Sequence, residues 1–195
     1  MVSLHWGIEK VFYPSPDQIR MARGFIDVGA TLILGHHPHV VQGVERYKHG
    51  LIAYSLGNFQ FQLFEHDLRS DRRQRTDESF ILSVTLENGG VKEHRLTPIE
   101  INGDFVPVVS VGHKRQALLD FVDNISGPIK NGTITEKWWF EQIADEYLYE
   151  NGRSFIIRIR KYGVKHLVMF MVWLITPFVL KCYRGWLGKR LRGNI

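Results

Sequence analysis

The sequence predicts an α/β fold followed by a basic helical segment, and three patterns indicate it. Apolar stretches at Val2–Leu4 and Thr31–Leu34 flank a helical apolar stripe, which is typical of a strand–helix–strand unit. Two alternating runs, Ser79–Glu87 and Val91–Ile101, enclose an Asn-Gly-Gly turn and predict a β-hairpin. After Glu150 the chain has ten basic residues and no acidic ones, together with a long apolar run.

The first helix has clear start and stop signals. Ser15 suits the N-cap, Pro16 suits the first helical position, and Gln18 completes a capping box. The apolar stripe then continues to Val28, and Gly29 supplies the C-terminal stop.

The middle of the chain predicts further strands and helices. A hairpin is expected at Val40–Tyr47 and Leu51–Ser55, around a Lys-His-Gly turn. An Asn-Gly turn leads to a strand at Phe105–Val109. The charge-dense stretch Glu65–Glu78 is expected to be an exposed loop. Helices are expected at Lys114–Ile125 and Thr135–Tyr149.

Composition bounds the class of protein. With 195 residues, 44% of them hydrophobic, the chain is large enough for a substantial core. A single cysteine, Cys182, excludes an internal disulfide framework and a Cys-rich zinc module. The net charge of +5 conceals a split, because residues 151–195 carry +10 and residues 1–150 carry −5. This asymmetry indicates an acidic globular part with a basic tail that meets an anionic partner.

Four histidines follow the first two predicted strands. His36, His37 and His39 stand in LILGHHPHVVQG, and His5 comes just after Val2–Leu4. In an α/β sheet, ligand sites lie at the carboxyl ends of the strands. His5 and the three clustered histidines are therefore expected at the same edge of the sheet. Neutral imidazole is a ligand suited to zinc, manganese, iron or nickel. Each histidine alone could be an ordinary hydrogen-bonded residue, but the group together favours a metal site.

A two-metal hydrolytic site also needs carboxylate ligands. Glu9 and Asp27 are the nearby acidic candidates, and Asp27 lies late in the helix, away from the strand ends. Glu9 is therefore predicted to be a base or a substrate contact beside the metal. The alternative is a solvated loop carboxylate.

Four stretches stand in a specific order and at a specific spacing. They are SLHWGIE (Ser3–Glu9), YPSPDQ (Tyr13–Gln18), LGHHPHVVQGVE (Leu34–Glu45) and IAYSLGNFQF (Ile52–Phe61). Together they resemble the carboxyl-terminal half of the CapA-type capsule-biosynthesis family. That family is associated with poly-γ-glutamate capsule and is similar in fold to calcineurin-like metallophosphoesterases. The resemblance covers Val2 to Phe61 and continues more weakly to about Val111.

The resemblance implies a partial four-layer αββα metallophosphatase-like sandwich, with two divalent ions (manganese, zinc or iron) at the strand ends of the complete fold. It implies His5, His37 and His39 as metal ligands, with His36 as a second choice in the GHHPH pair. Glu9 and His36 are the candidate catalytic residues. Gln42 and Asn58 are expected to line the substrate pocket, although Asn58 could instead serve only a turn.

The family's first metal motifs, with their aspartates and asparagine, lie in an amino-terminal half that this sequence does not contain. MVSLHWG enters an apolar alternation directly, with no polar lead-in and no signal-type stretch. We therefore expect a chain that continues upstream, a separate chain that carries the amino-terminal half, or a remnant.

The resemblance does not explain residues 151–195. Leu167–Leu180 is apolar apart from Thr176 and Pro177, and it is too short to span a bilayer. Flanking Lys165 and Lys181 predict an interfacial helix on an anionic membrane surface. A helix packed on the domain is an alternative. Nucleic-acid binding suits the apolar run poorly, so no nucleic-acid partner is expected.

These observations predict a CapA-like half-domain at 1–112, a helical segment at 113–150, and a basic, apolar, membrane-associated tail at 151–195 of a bacterial protein. The predicted function is divalent-metal-dependent phosphoester hydrolysis, or precursor binding, in capsule biosynthesis. Its partner would be a polyanionic polymer or a phosphorylated precursor, in the cell envelope or at the cytoplasmic face of the membrane. The alternatives are a non-enzymatic membrane-associated scaffold for polymer synthesis or export, and a truncated product without function.

Overall fold

The structure, a computed structural model, describes residues 1–60 and 75–193, which form two β-sheets and five α-helices. The fold is mixed α/β, as predicted. It divides into two compact units, residues 1–133 and 134–195. Of the loop expected at Glu65–Glu78, residues 65–74 lie outside the described residues.

The first unit contains seven strands and two helices among its described residues. The strands are β1 (Val2–His5), β2 (Leu32–His36), β3 (Val44–Tyr47), β4 (Gly50–Ala53), β5 (Glu78–Glu87), β6 (Gly90–Ile101) and β7 (Pro107–Val109), and the helices are α1 (Pro16–Asp27) and α2 (Gly112–Lys130).

The first sheet has the order β1-β2-β4-β3, in which β1, β2 and β4 run parallel and β3 is antiparallel to β4. Helix α1 connects β1 to β2, and a helical crossover is what allows consecutive strands to run parallel. The helix begins with the predicted capping box between Ser15 and Gln18. The register of the two strands pairs His5 with His36, so β1 and β2 end at the same edge.

The second sheet has the order β5-β6-β7 and is antiparallel. Asn88 and Gly89, with φ of 52° and 77°, make the predicted tight turn between β5 and β6. The third strand begins at Pro107, later than predicted, because Phe105 adopts a φ of 60° in a turn. The Asn102 side chain closes that turn by accepting from the amides of Asp104 and Val106.

The core of this unit lies where the two sheets and α2 meet. Its buried residues come from the first sheet and the segment before β3, from the second sheet and from α2: Val41, Val44, Leu51, Ala53, Phe80, Val91, Leu118, Val122 and Ile125. Removing this apolar surface from water supplies the main driving force for folding.

Helix α2 extends beyond its predicted end at Ile125. Ser-Gly-Pro at positions 126–128 suggests a stop in the sequence, but the helix continues to Lys130. The reason is tertiary, because the Ser126 hydroxyl donates to the carbonyl of Val122 (2.6 Å) and accepts from the amide of Val44 (2.8 Å). Ser126 therefore joins α2 to the start of β3, which outweighs the local preference of Gly127 and Pro128.

The second unit is helical, with α3 (Glu136–Tyr162), α4 (Val164–Leu174) and α5 (Pro177–Gly193). Thr135 caps α3 by accepting from the amide of Trp138 (3.2 Å). Helix α5 packs closely on α3 at Gly185, where a Cβ would lie 2.6 Å from the carbonyl oxygen of Phe140. Phe178 of α5 contacts the rings of Phe140 and Tyr147.

The run Leu167–Leu180, expected to be one interfacial helix, is two helices with a break at Ile175 and Thr176. Pro177 explains the break, because it lacks an amide hydrogen and disfavours helical geometry in the residue before it. Within the described residues, no single helix has both the length and the apolar character needed to cross a membrane. Together α4 and α5 would meet both criteria, but they are bent by 64°.

We predict that Cys182 reacts slowly with thiol reagents in the folded protein. Its side chain is fully buried on the inner side of α5, and burial raises the pKa of the thiol to about 12. The thiolate is the reactive form, so labelling by a disulfide reagent at pH 8 should be about a thousandfold slower than in urea-unfolded protein.

Two glycine variants sharpen this test. Gly185→Ala introduces a methyl group against the Phe140 backbone and should accelerate labelling of Cys182. Gly188→Ala is the matched control, because the nearest atom to its Cβ is a carboxylate oxygen of Glu141 at 3.7 Å, an ordinary contact. Equal rates in native and unfolded protein would contradict the close packing of α3 and α5.

Candidate metal centre

The candidate centre lies at the edge where β1 and β2 end. The register pairs His5 with His36, and the next amide, that of Trp6, donates to the carbonyl of His36 (3.0 Å). The following turn is also fixed, because the amide of Lys10 donates to the carbonyl of Pro38 (2.7 Å). The segments after the two strands are therefore held side by side.

The histidine loop has an unusual backbone. His37 and His39 both have positive φ, 98° and 59°, a region that side chains rarely adopt. Each such residue costs of order 1 kcal/mol and persists only where the surroundings hold it, which occurs often at functional sites. Buried Pro38 lies between them and anchors the loop. This conformation is what brings the two imidazoles to one side.

Glu9, His37 and His39 form the cluster. One carboxylate oxygen of Glu9 and one ring nitrogen of each histidine all lie within 4.8 Å of one another. The histidines are half-buried and Glu9 is exposed. The ring of His5 lies against that of His37, with 4.7 Å between centroids. The cluster and His5 together account for four of the seven predicted site residues.

These residues fit a divalent transition metal. Two imidazoles and one carboxylate suit zinc, manganese or iron, and the ligand atoms of a tetrahedral ion lie about 3.4 Å apart. The three ligand atoms lie within 4.8 Å of one another, and Glu9, which is exposed, can move closer to the histidines by side-chain rotation. The lining also combines partial burial with open access on the Glu9 side.

Asn58 orients His39. The amide nitrogen of Asn58 donates to the carbonyls of Thr76 (2.9 Å) and His39 (3.3 Å), which fixes the direction of the amide group. Its oxygen therefore faces the Nδ1 of His39 at 2.8 Å. Because this oxygen can only accept, Nδ1 carries the proton and Nε2 keeps its lone pair. Such a partner sets the tautomer of a metal-ligating histidine.

His36 and Gln42 lie outside the cluster. His36 ends β2 and is half-buried. Gln42, expected to line the pocket, is 1% exposed and donates to the carbonyl of Val11 (2.7 Å). Its backbone amide donates to Ser55, so it links the histidine loop to the segment after β4.

A buried polar network that the sequence pattern did not reveal supports this edge. Glu45 is buried, and its carboxylate accepts from the Tyr54 hydroxyl (2.9 Å) and from the guanidinium of Arg23 (3.1 Å). Burial raises the pKa of Tyr54, and the Glu45 carboxylate raises it further. Hydrogen bonding to Glu45 is also the main reason that the pKa of Arg23 is raised. The three side chains tie α1 and β3 to the residue that follows β4.

Gly35 permits the closest backbone approach at the site. A Cβ at this position would lie 1.8 Å from the carbonyl oxygen of Tyr54 and 2.7 Å from the indole nitrogen of Trp6. The Trp6 indole donates to that same carbonyl (3.1 Å). A glycine beside the GHHPH histidines is the sequence signal that indicates such an approach.

Comparison with known proteins matches the part of the chain that carries the candidate site to a family model. Residues 1–63 match the model of the family described as bacterial capsule synthesis protein PGA_cap. The chain is 38% identical to the capsule biosynthesis protein CapA of Bacillus anthracis over 117 residues. These aligned residues make up 60% of this chain and 26% of that protein. It is 37% identical over 139 residues to the PGA biosynthesis protein CapA of Bacillus subtilis, covering 69% and 34%.

A third relative is the uncharacterized protein y4sH of Sinorhizobium fredii, 46% identical over 57 residues, which covers 29% of this chain and 12% of that protein. The chain thus spans between about a quarter and a third of the length of the two CapA relatives.

We predict that Gly35→Ala destabilises the protein by about 3 kcal/mol or more, because the methyl group meets backbone that cannot rotate away. Gly24→Ala is the matched control. Gly24 lies in α1 with open space around it, so alanine there should stabilise by about 1 kcal/mol through helix propensity. Urea midpoints measured by circular dichroism check both, and a wild-type midpoint for Gly35→Ala would contradict the close approach.

Proposed function

Since residues 1–63 make this chain a member of the CapA-type family of capsule biosynthesis proteins, we propose that it holds a divalent metal and acts on an anionic capsule precursor. The metal would be manganese, zinc or iron, bound by His37, His39 and Glu9. The precursor would carry phosphate or carboxylate groups. The observation that carries this proposal is the convergence of three ligand atoms within 4.8 Å.

Each cluster residue has a defined part in this proposal. His39 would bind through Nε2, because Asn58 holds its other nitrogen protonated. His37 would bind beside it, with His5 against its ring as a neighbouring donor. Glu9 is exposed, so it would be both the charged ligand and the residue that an incoming substrate meets. A divalent ion there supplies Lewis-acid polarisation of a phosphoryl oxygen and a bound water of lowered pKa.

The proposed architecture is part of an αββα sandwich with the two sheets as its middle layers. The core supports this, since buried residues of both sheets meet in one cluster with α2. Two ions, as the family resemblance implies, need more ligands than the three in this cluster. Further carboxylates would then come from another part of the assembled protein or from a separate chain.

We predict that the protein binds one manganese or zinc ion per chain through this cluster. His37→Ala and His39→Ala should each lower metal content by tenfold or more, measured by plasma mass spectrometry after dialysis, because each removes a ligand. Asn58→Ala should weaken affinity about 10- to 100-fold, because it removes the group that orients His39. His49→Ala, an exposed histidine on the turn between β3 and β4, is the control and should keep wild-type content.

Circular dichroism of each variant separates loss of ligand from loss of fold. Metal content unchanged in both His37→Ala and His39→Ala, with the fold intact, would contradict the centre.

We also predict metal-dependent hydrolysis of bis(4-nitrophenyl) phosphate by protein purified from its host. His37→Ala and Glu9→Gln should lower the rate at least about a hundredfold, because each removes a proposed metal ligand. His49→Ala should leave the rate unchanged. Full metal content without turnover, together with binding of poly-γ-glutamate in a pull-down, would favour the scaffold alternative over an enzyme.

A further inference from the structure

The second unit exposes an apolar stripe along α4. Val164, Leu167, Val168, Met171, Val172 and Ile175 follow helical spacing, and each is between 44% and 75% exposed. None of the residues of α4 is fully buried. A surface helix of a soluble protein carries polar residues on this side. An apolar stripe of this length on the outside indicates a surface that meets something apolar.

The opposite side of α4 is already occupied by α3. Phe170 contacts Phe155 with 5.5 Å between ring centroids, and Trp173 contacts both Phe155 (5.2 Å) and Tyr147 (6.3 Å). His166 stacks on Tyr162 at 4.9 Å. These six residues of α3 and α4 hold the helix in a fixed rotation, so its outer stripe is not simply an unpacked core face.

Helix α5 continues the pattern. Leu180, Tyr183, Leu187 and Leu191 fall at helical spacing and are between 41% and 63% exposed. The inner side of the same helix, with Val179 and Cys182, is fully buried. The unit therefore has a second line of exposed apolar side chains, on a helix that is likewise packed on its inner face.

Helices α4 and α5, which carry the apolar stripes, have basic residues and no acidic ones. After Glu150 there are ten basic residues and no acidic ones. Lys181, Lys189 and Arg192 form ion pairs with Glu136, Asp145 and Glu141 of α3. Lys165, Arg184 and Arg190 are exposed beside the stripes, and Arg190 lies over the ring of Trp186 (4.6 Å).

We propose that residues 134–193 form a docking unit for an anionic lipid surface, with the α4 stripe inserted at the boundary between headgroups and acyl chains. Basic side chains beside apolar ones, with an interfacial tryptophan, match the anionic and apolar layers of such a surface. The inference goes beyond the proposed function, because it uses residues outside the 1–63 family match.

Charge complementarity selects this occupant. A second copy of the chain would bring the same exposed cations, Lys165, Arg184 and Arg190, to the contact, with no acidic residue on α4 or α5 to face them, and like charges oppose association. Insertion across the bilayer is also disfavoured for α4 alone, since its 11 residues would span about 16 Å of a hydrocarbon core that is about 30 Å thick.

The first experiment is flotation of the full chain with vesicles of phosphatidylcholine alone, or with 30% phosphatidylglycerol. Wild-type protein should float with the anionic vesicles at least about tenfold more strongly, and less so at high salt. Val168→Glu with Val172→Glu should lower flotation at least tenfold. Both positions are exposed, so the unit should still fold, and slow labelling of Cys182 verifies that it does.

The matched control places the same two carboxylates on exposed valines of the other unit. Val28→Glu with Val111→Glu, at positions 84% and 74% exposed, changes the net charge by the same amount and should leave flotation close to wild type. Arg184→Gln with Arg190→Gln should lower flotation on anionic vesicles about tenfold and leave any binding to neutral vesicles unchanged.

Several results would overturn the proposal. One is equal flotation of wild type and Val168→Glu/Val172→Glu, and another is no flotation on either vesicle. If the bound protein resists extraction by alkaline carbonate, α4 and α5 insert across the membrane as a bent pair and do not dock on its surface. A lipid-free dimer that Val168→Glu/Val172→Glu dissociates would instead assign the stripe to a second copy.

Discussion

The carbonyl of Tyr54 occupies the space where any side chain at position 35 would begin, and the candidate site depends on this approach. Because position 35 has no side chain, the Trp6 indole can donate to the carbonyl of Tyr54. The amide of Leu56 in turn donates to the carbonyl of Gly35 (3.2 Å). The segment after β1 and the segment after β4 are thus both fixed to β2 one residue before His36. The strained histidine loop begins from this fixed point, so its backbone cost is met by contacts that precede it.

The buried carboxylate of Glu45 imposes a second constraint on the same edge. A buried charge persists only if it is paired and hydrogen-bonded, and here Arg23 of α1 and Tyr54 after β4 satisfy it together. Arg23 also donates to the carbonyl of Ile129 at the end of α2 (3.2 Å), so the network holds both helices to the first sheet. Tyr54 consequently has two fixed ends, its carbonyl at Gly35 and its hydroxyl at Glu45.

Much of this arrangement follows from the sequence, and the exceptions share one physical cause. Periodicity and capping signals predict β1, α1, β2 and both hairpins, and the edge rule predicts where the histidines gather. The meeting of Glu9 with His37 and His39 depends on positive φ angles in a loop, which carry no periodic signal. The inward position of the Gln42 side chain depends on a partner distant in sequence, Val11. The extension of α2 through Pro128 likewise depends on Val44.

The charge distribution connects the two proposals. Residues 1–150 carry a net charge of −5, which would repel a phosphorylated or carboxylate-bearing substrate at long range. The proposed divalent ion, with only Glu9 as its charged ligand, would leave a local positive charge at the strand ends and so would provide the attraction that the surrounding residues lack. Lys165, Arg184 and Arg190 lie beside apolar stripes rather than in such a cluster, and the proposed lipid surface needs both features together. The division of charge along the chain is therefore what the two proposed anionic partners would require, one bound at a point and the other over an area.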